Sequence, residues 1–502
     1  MTLGAGWSKL GKKTTIGCIG RSSPGTCSTT ATPTQPPSST TSSGKSLAAS
    51  LHLSSSMQKV GGHMRRRLAG PSGGNVFTAL CLAKAPHPCF PTAHLALLPT
   101  RQCSTQDGPL SGVRIIDLTR ILAGPFATMV LSDLGAEVIK VERPGTGDDT
   151  RAWGPPFLGT ESCYFLSVNR NKKSVAVDLK QGAGVRVVRE LARCSDVLVE
   201  NFVPGSLDRL GLGYGDLHAL APRLIYCSIS GYGASGPYKS RPGYDVMAAS
   251  FGGLVGVTGP RDGEPCKVGV AMTDLATGLY AHGAIMAALL ERQKTGHGQK
   301  IDCNLLSTQV SCMVNLASNY LNGGREARRW GTAHESIVPY QAFPTADGHI
   351  TIAAGSNGQF AALCSVLALP ELLGDDRYSS NAERVEHRES LVATLTSAFR
   401  RRSTEEWLGV LEGCPFPYAP INSLSQVFSD PQVVHSGLVE EVEHPGVGKV
   451  KQVGPAVTFS GSHNSVRAPP PLLGQHTRQV LTQLLGYTEA QVEELRRQGV
   501  VA

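Results

Sequence analysis

Apolar and polar positions change their spacing several times along the chain. "VRIIDL" (113–118) is an apolar run of strand length. "PFATMVLSDLG" (125–135) has helical spacing, with Pro125 in the first turn and Gly135 at the end. "EVIKVER" (137–143) reads as a second strand. The alternation recurs with a strand in "KSVAVDL" (173–179), a helix in "GAGVRVVRELARC" (182–194), and strands in "DVLVEN" (196–201) and "RLIYCSISGYG" (223–233). Strands alternating with helices predict an α/β fold with a parallel, doubly wound sheet. Helical patterns follow in "YDVMAASFGGLVG" (244–256) and "KVGVAMTDLATGLYAHGAIMAALLE" (267–291). "GQKIDCNLL" (298–306) is a strand and leads to a helix reaching about Asn322.

Beyond Asn322 the texture changes. The Gly- and Arg-rich "NGGREARRWGTAHES" (322–336) marks a boundary. "VPYQAFPTADGHITIAA" (338–354) predicts a hairpin with Asp347-Gly348 near its turn. Helices including "ESLVATLTSAFRRR" and "TEEWLGVLEG" complete a smaller α+β unit over 335–415. The tail has strand character in "GLVEEVEHPGVGKVKQVGPAVTFSG", then Pro-rich "RAPPPLLGQHT" and two helices near 477–499.

Length and charge refine this picture. The 502 residues allow two domains. No segment reaches the roughly 20 apolar residues of a membrane span. The net charge of +8 is unevenly placed: eleven Lys or Arg precede the first acidic residue, Asp107, leaving 36 basic and 39 acidic side chains after it. A nearly neutral body gives no support to nucleic-acid binding. The acid-free, Ser/Thr-rich residues 1–106 have the composition of a mitochondrial presequence. The part from Met64, opening "MRRRLAG" and closing "RQCSTQ", has that character alone. Either Met64 is the working start or 1–63 are an added extension, and a matrix location is expected. Thirteen cysteines show no C-x-x-C and no paired Cys/His spacing, so no structural zinc and no disulfide framework are expected.

Candidate chemistry centres on Asp274. Between Lys267 and Glu291 it is the one residue fully charged at neutral pH. It fits a helix N-cap, with Thr273 as the alternative cap. The cap is the simpler reading of this stretch alone, and it is compatible with a nucleophile, kept ionised by the helix dipole and approached across small neighbours Gly269, Ala271, Ala276 and Gly278. Basic residues gather after strands: Arg143, Arg151, Lys172, Lys173, Lys180 and Arg209. Singly each reads as a solvated charge; together they suit phosphates. "GLGYG" (211–215) does not complete a dinucleotide loop. "GPSGG" (70–74) lies in the leader without a nucleophile-elbow context. His282 reads as a packed histidine rather than a ligand.

Taken in order, "IDLTRILAGPFATMVLSDLGAEVIKVERPGTGDDTR", "NRNKKSVAVDLK", "VENFVPGSLDRLG", "SGYGASGPYKSRPGYDVMAAS" and "VAMTDLATGLYA" resemble the family III CoA-transferases, the CaiB/BaiF type that includes formyl-CoA transferase. The resemblance covers roughly 108–502. It implies a Rossmann-like large domain built from both chain ends, a smaller domain reached by linkers, and an interlocked homodimer. The implied layout is a leader 1–106, large domain 107–322 and 441–502, linkers 323–334 and 416–440, and small domain 335–415. It implies Asp274 as the nucleophile that forms aspartyl anhydride and aspartyl-CoA intermediates. CoA contacts are implied for Arg120, Ile121, Leu122, Ala123, Arg143, Val177, Lys180, Asn201, Phe202, Ser206, Arg209 and Leu210. Tyr244, Asp245, Arg241 and His334 are implied as contacts to the acid. A CoA thioester is then a substrate, with no tightly bound cofactor and no metal.

In the second half, "GTAHESIVPYQAF" and "RAPPPLLGQHT" resemble a mitochondrial branch acting on succinyl-CoA and glutarate or 3-hydroxy-3-methylglutarate. A diacid's second carboxylate needs a cation, for which Arg120 and Arg241 are candidates. Formyl-CoA transferase carries His-Val-Gln where this chain has Arg120-Ile121-Leu122, so its glutamine donor is missing here. Its lysine before a Tyr-Glu pair falls on Pro242, beside Arg241, and "GTAHES" replaces its glycine-rich lid. An α-methylacyl-CoA racemase is the nearest rival. It needs a His base where this chain has Tyr244, and an unperturbed tyrosine, with pKa about 10, is a poor base. A non-catalytic CoA-binding protein is third, and predicts a degraded nucleophile position.

Overall fold

The computed structural model of the protein describes residues 108–502, and the expected leader lies outside them. Six strands form one sheet: β1 (Arg114–Asp117), β2 (Glu137–Glu142), β3 (Lys172–Ala176), β4 (Val197–Glu200), β5 (Ile225–Ser230) and β6 (Lys300–Asn304). They lie in the order β3-β2-β1-β4-β5-β6 and every neighbouring pair is parallel. The inner strands are apolar runs because both faces of the sheet are covered. The strand order reverses between β1 and β4, which opens a crevice beyond their carboxyl ends.

Four helices matter for the site: α1 (Ala123–Asp133), α2 (Gly182–Arg193), α3 (Asp245–Phe251) and α4 (Met272–Thr295). The strand period of two sends Ile115 to one face and Ile116 to the other. On the first face, Ala127 and Leu131 of α1 meet Ala281, Ile285 and Ala288 of α4. On the second, Val187 and Leu191 of α2 share a core with Val480, Leu481, Val492 and Val500 from the chain's end. Burying a side chain such as Leu191 completely contributes about 1.5–3 kcal/mol. Asp178 donates its N–H to the Val500 carbonyl at 2.8 Å, and Val177 bridges Val501. This face of the six-stranded sheet thus draws its core from both ends of the described chain.

A separate three-stranded sheet holds the expected hairpin, β7 (Tyr340–Pro344) with β8 (His349–Ala353), around Asp347-Gly348. A third strand, β9 (Tyr418–Pro420), pairs with β8 and lies past the expected limit at 415. Three residues that include a proline are too few to show a period. Phe343, Ile350, Ile352, Leu391, Leu395, Phe399 and Trp407 are buried in one core. The helical pattern over 244–256 divides after Phe251, where Gly253 takes φ +89°. The pattern up to 322 divides likewise into Leu305–Cys312 and Val314–Gly323. Among the described residues, no helix is long and apolar enough to cross a membrane.

Candidate active site

The crevice contains two cavities. One, of about 350 Å³, opens over the ends of β2 and β3 and is lined by the expected residues Arg120, Arg143, Val177, Lys180, Phe202 and Leu210. The other, of about 170 Å³, is lined by Arg120, Ile121, Leu122, Ala123, Asn201, Phe202, Arg241, Tyr244 and Asp274. Arg120 and Phe202 line both, with the guanidinium 5.9 Å from the ring centroid. A ligand can therefore run from the first cavity to Asp274 past this pair.

Four expected residues line neither cavity. Arg209 donates to Ser206 Oγ at 3.3 Å on the rim beside Leu210. His334 stacks on Tyr340 of β7 with centroids 5.5 Å apart, and its carbonyl accepts from Arg388 at 3.0 Å. Asp245 accepts the Asp274 backbone N–H at 3.1 Å, and its charge also bears on the Asp274 carboxylate. Three cations expected to face phosphates are already paired. Lys172 is fully buried against Asp117 at 3.0 Å, and burial pushes its pKa down to about 8. Lys173 pairs with Glu137, and Arg151 with Glu142, each at 2.7 Å. Arg143 and Lys180 remain exposed at the first cavity.

The loop after β1 is held from two sides. Arg120 N–H donates to Asn201 Oδ1 at 3.0 Å, and Asn201 Nδ2 donates to the Arg120 carbonyl at 2.8 Å. Ile121 sits at φ +73°, a region that β-branched residues avoid. Its N–H donates to the Asp148 carboxylate at 3.1 Å. Asp148 is buried against Lys140 Nζ at 2.9 Å, and Lys140 also donates to the Thr119 carbonyl at 2.8 Å. Burial opposes the Lys140 charge, but Asp148, Asp117 and Glu142 outweigh it and raise its pKa. A buried ion pair thus holds the strained turn that forms one wall of the Asp274 cavity.

Asp274 is buried at 8% exposure, in the first turn of α4. Neither it nor Thr273 caps the helix. The N-cap is Ala271, whose side chain cannot bond, and Asp245 Oδ1 accepts the Asp274 N–H at 3.1 Å from α3. Thr273 Oγ1 instead donates to Gln309 Oε1 at 2.7 Å. The helix dipole does not keep Asp274 strongly ionised. Burial first, then the Asp245 charge, push its pKa up to about 7. Gly278 has a different purpose from the one expected: a Cβ there would stand 2.8 Å from the Ala123 carbonyl oxygen and 2.9 Å from Phe126 Cδ1. It brings α4 against α1 instead of leaving room for substrate. Gly278→Val is expected to cost about 1–3 kcal/mol in urea unfolding and to slow transfer about tenfold by moving Ala123 away from Asp274.

Three participants escaped the sequence reading. Lys239 lines the Asp274 cavity. Tyr164 feels its charge: burial, then Asp274, Asp245 and Asp148, raise the phenol pKa. Asp148 supports Ile121. All three lie in irregular segments or short helices far from Asp274 in sequence, where spacing gives no signal. Among the described residues, no cluster of His, Cys, Asp or Glu could hold a metal ion.

A family model, CoA-transferase family III, matches residues 110–477. The chain belongs to that family. The transferase is 59% identical over 403 residues to "Succinyl-CoA:glutarate CoA-transferase" of Mus musculus, covering 80% of this chain and 92% of the relative. The Homo sapiens protein of the same name is 58% identical over 393 residues, with 78% and 90% covered. A crystal structure of a CaiB/BaiF family protein from Brucella suis superposes with a TM-score of 0.70 at 41% identity, covering 76% of this transferase and all of that chain. The resemblance seen in the motifs is thereby established as membership, and the enzyme is a CoA-transferase whose substrates are CoA thioesters.

Proposed function

We propose that the enzyme moves CoA from succinyl-CoA to glutarate or a related dicarboxylate such as 3-hydroxy-3-methylglutarate. The observation that carries this reading is a buried carboxylate, Asp274, at one end of a crevice whose other end presents the exposed cations Arg143 and Lys180. The names of the mouse and human relatives supply the acids.

The CoA phosphates lie against Arg143 and Lys180, and the pantetheine arm passes Phe202 and Asn201. An Asp274 oxygen attacks the succinyl carbonyl. The C–S bond breaks, the CoA thiolate leaves, and a mixed anhydride joins succinate to Asp274. The thiolate then attacks the Asp274 carbonyl carbon and releases succinate, leaving an aspartyl-CoA thioester. A glutarate carboxylate attacks that thioester, the C–S bond breaks, and the CoA thiolate leaves as a glutaryl–Asp274 anhydride forms. A last attack by the thiolate on the glutaryl carbonyl yields glutaryl-CoA and frees the Asp274 carboxylate. Leu122 cannot donate to the oxyanion, and α1 begins at Ala123 without a side-chain cap, so its first N–H groups take that role. No histidine lines the Asp274 cavity, which disfavours racemisation.

The exposed apolar side chains Met247, Phe251, Leu279, Tyr280 and Leu290 on α3 and α4 support a second copy of the chain as their cover, in the interlocked homodimer. Sedimentation should then report a dimer, and a monomer at micromolar concentration would exclude it. The leader's composition supports import into the mitochondrial matrix.

Incubation with succinyl-CoA and glutarate tests the reaction. Mass spectrometry should show glutaryl-CoA; its absence, with α-proton exchange on a 2-methylacyl-CoA, would select the racemase. The pH profile tests the nucleophile. Only ionised Asp274 attacks, so kcat/KM for succinyl-CoA should rise about tenfold per pH unit below 7 and level above it. Asp245→Asn removes the like charge, which should move that midpoint to lower pH. An unmoved midpoint would leave burial as the whole cause.

A further inference from the structure

The Asp274 cavity carries more positive charge than the reacting carboxylate uses. Arg120, Lys239 and Arg241 all line it. Arg120 is committed to Asp149 at 2.6 Å. Lys239 and Arg241 have no carboxylate partner among the described residues. The Arg241 guanidinium lies 3.9 Å from the Tyr238 ring centroid, and this stacking orients its donors. Neither cation offsets the raised pKa of Asp274, which burial and Asp245 cause. Lys239 and Arg241 line the same cavity as Asp274, and no ion pair joins either of them to it. A space of about 170 Å³ lined by a reacting carboxylate and by two unpaired cations fits a ligand with an acid group at each end.

We infer that Lys239 and Arg241 together bind the non-reacting carboxylate and so select diacids over monoacids of equal length. The inference rests on the diacid reading above and adds the residues that choose. Succinyl-CoA carries the same kind of free carboxylate, so donor and acceptor use this subsite in turn. A charge-assisted, oriented Arg contact gives such a subsite both affinity and direction. Lys239 is absent from the expected contacts because a lysine in a Gly/Pro/Ser-rich loop reads as an ordinary solvated charge.

The test compares glutarate with pentanoate, which has the same five carbons and one carboxylate. Both acceptors meet the same enzyme intermediate, so the ratio of their kcat/KM values cancels any change in the donor step. The variants are Lys239→Gln, Arg241→Gln and the double substitution, all at exposed positions, with thermal melting as the check on folding. The wild type is expected to prefer glutarate about 100-fold or more. In the double variant that preference should fall at least about 30-fold through a raised KM for glutarate, with pentanoate changed less than about threefold. The affinity for CoA alone, by calorimetry, should be unaltered. An unchanged ratio overturns the inference. So does an equal loss for both acids with weaker CoA binding, which would place the cations on the CoA phosphates. A wild type that forms no glutaryl-CoA overturns the functional reading itself, a separate result.

Discussion

Replacing Asp274 by Asn is expected to abolish glutaryl-CoA formation and, at pH 8, to make the folded protein more stable than the wild type. Loss of transfer follows because an amide oxygen cannot form the anhydride. The gain in stability follows from linkage. The folded-state pKa is about 7 against 3.8 for the free side chain. Between those values the folded chain holds a proton that the unfolded chain has released, so stability declines as pH rises through this window. Full displacement corresponds to roughly 4 kcal/mol at pH 8. The buried amide brings unpaired donors, so a gain on the order of 2 kcal/mol is expected instead. Thermal melts at pH 4 and pH 8 check the sign: the difference should shrink towards pH 4. Retained turnover would refute the nucleophile assignment, and an equal gain at both pH values would refute the titration. Such a gain from removing the reacting group is the signature of a site kept reactive at a cost in stability.

Lys140→Met is expected to destabilise the protein by about 3–5 kcal/mol, because it leaves Asp148 buried without its cation. The backbone then loses support at two points, the Thr119 carbonyl and, through Asp148, the Ile121 N–H. Asp148→Asn, which keeps the shape and an acceptor, should cost less stability. Its effect should show as a fall in kcat with little change in CoA affinity, since the positive-φ turn at Ile121 relaxes beside Asp274. Chemical denaturation and steady-state kinetics read the two variants separately. If Lys140→Met melts like the wild type, the buried pair is not what holds the turn. If Asp148→Asn weakens CoA binding alone, its role belongs to the first cavity.

Much of this protein is legible in its sequence. The alternation of strand and helix periods determined the parallel sheet, because buried strands and amphipathic helices each impose their own spacing. The long motifs identified the family, and Asp274 stood out as an isolated carboxylate in an apolar stretch. Tertiary structure alone decided the electrostatics. Lys172 and Lys173 read as phosphate contacts, yet Asp117 and Glu137 reach them across the sheet. Asp274 read as its own helix cap, yet the capping carboxylate comes from Asp245, 29 residues earlier in the chain. Gly278 read as space, yet the atoms that exclude a side chain belong to α1. Local spacing follows from bonds along one segment and is written in the sequence. A charge's partner, a carboxylate's pKa and a glycine's neighbour depend on which distant segments the sheet brings together, and that is settled only when the chain has folded.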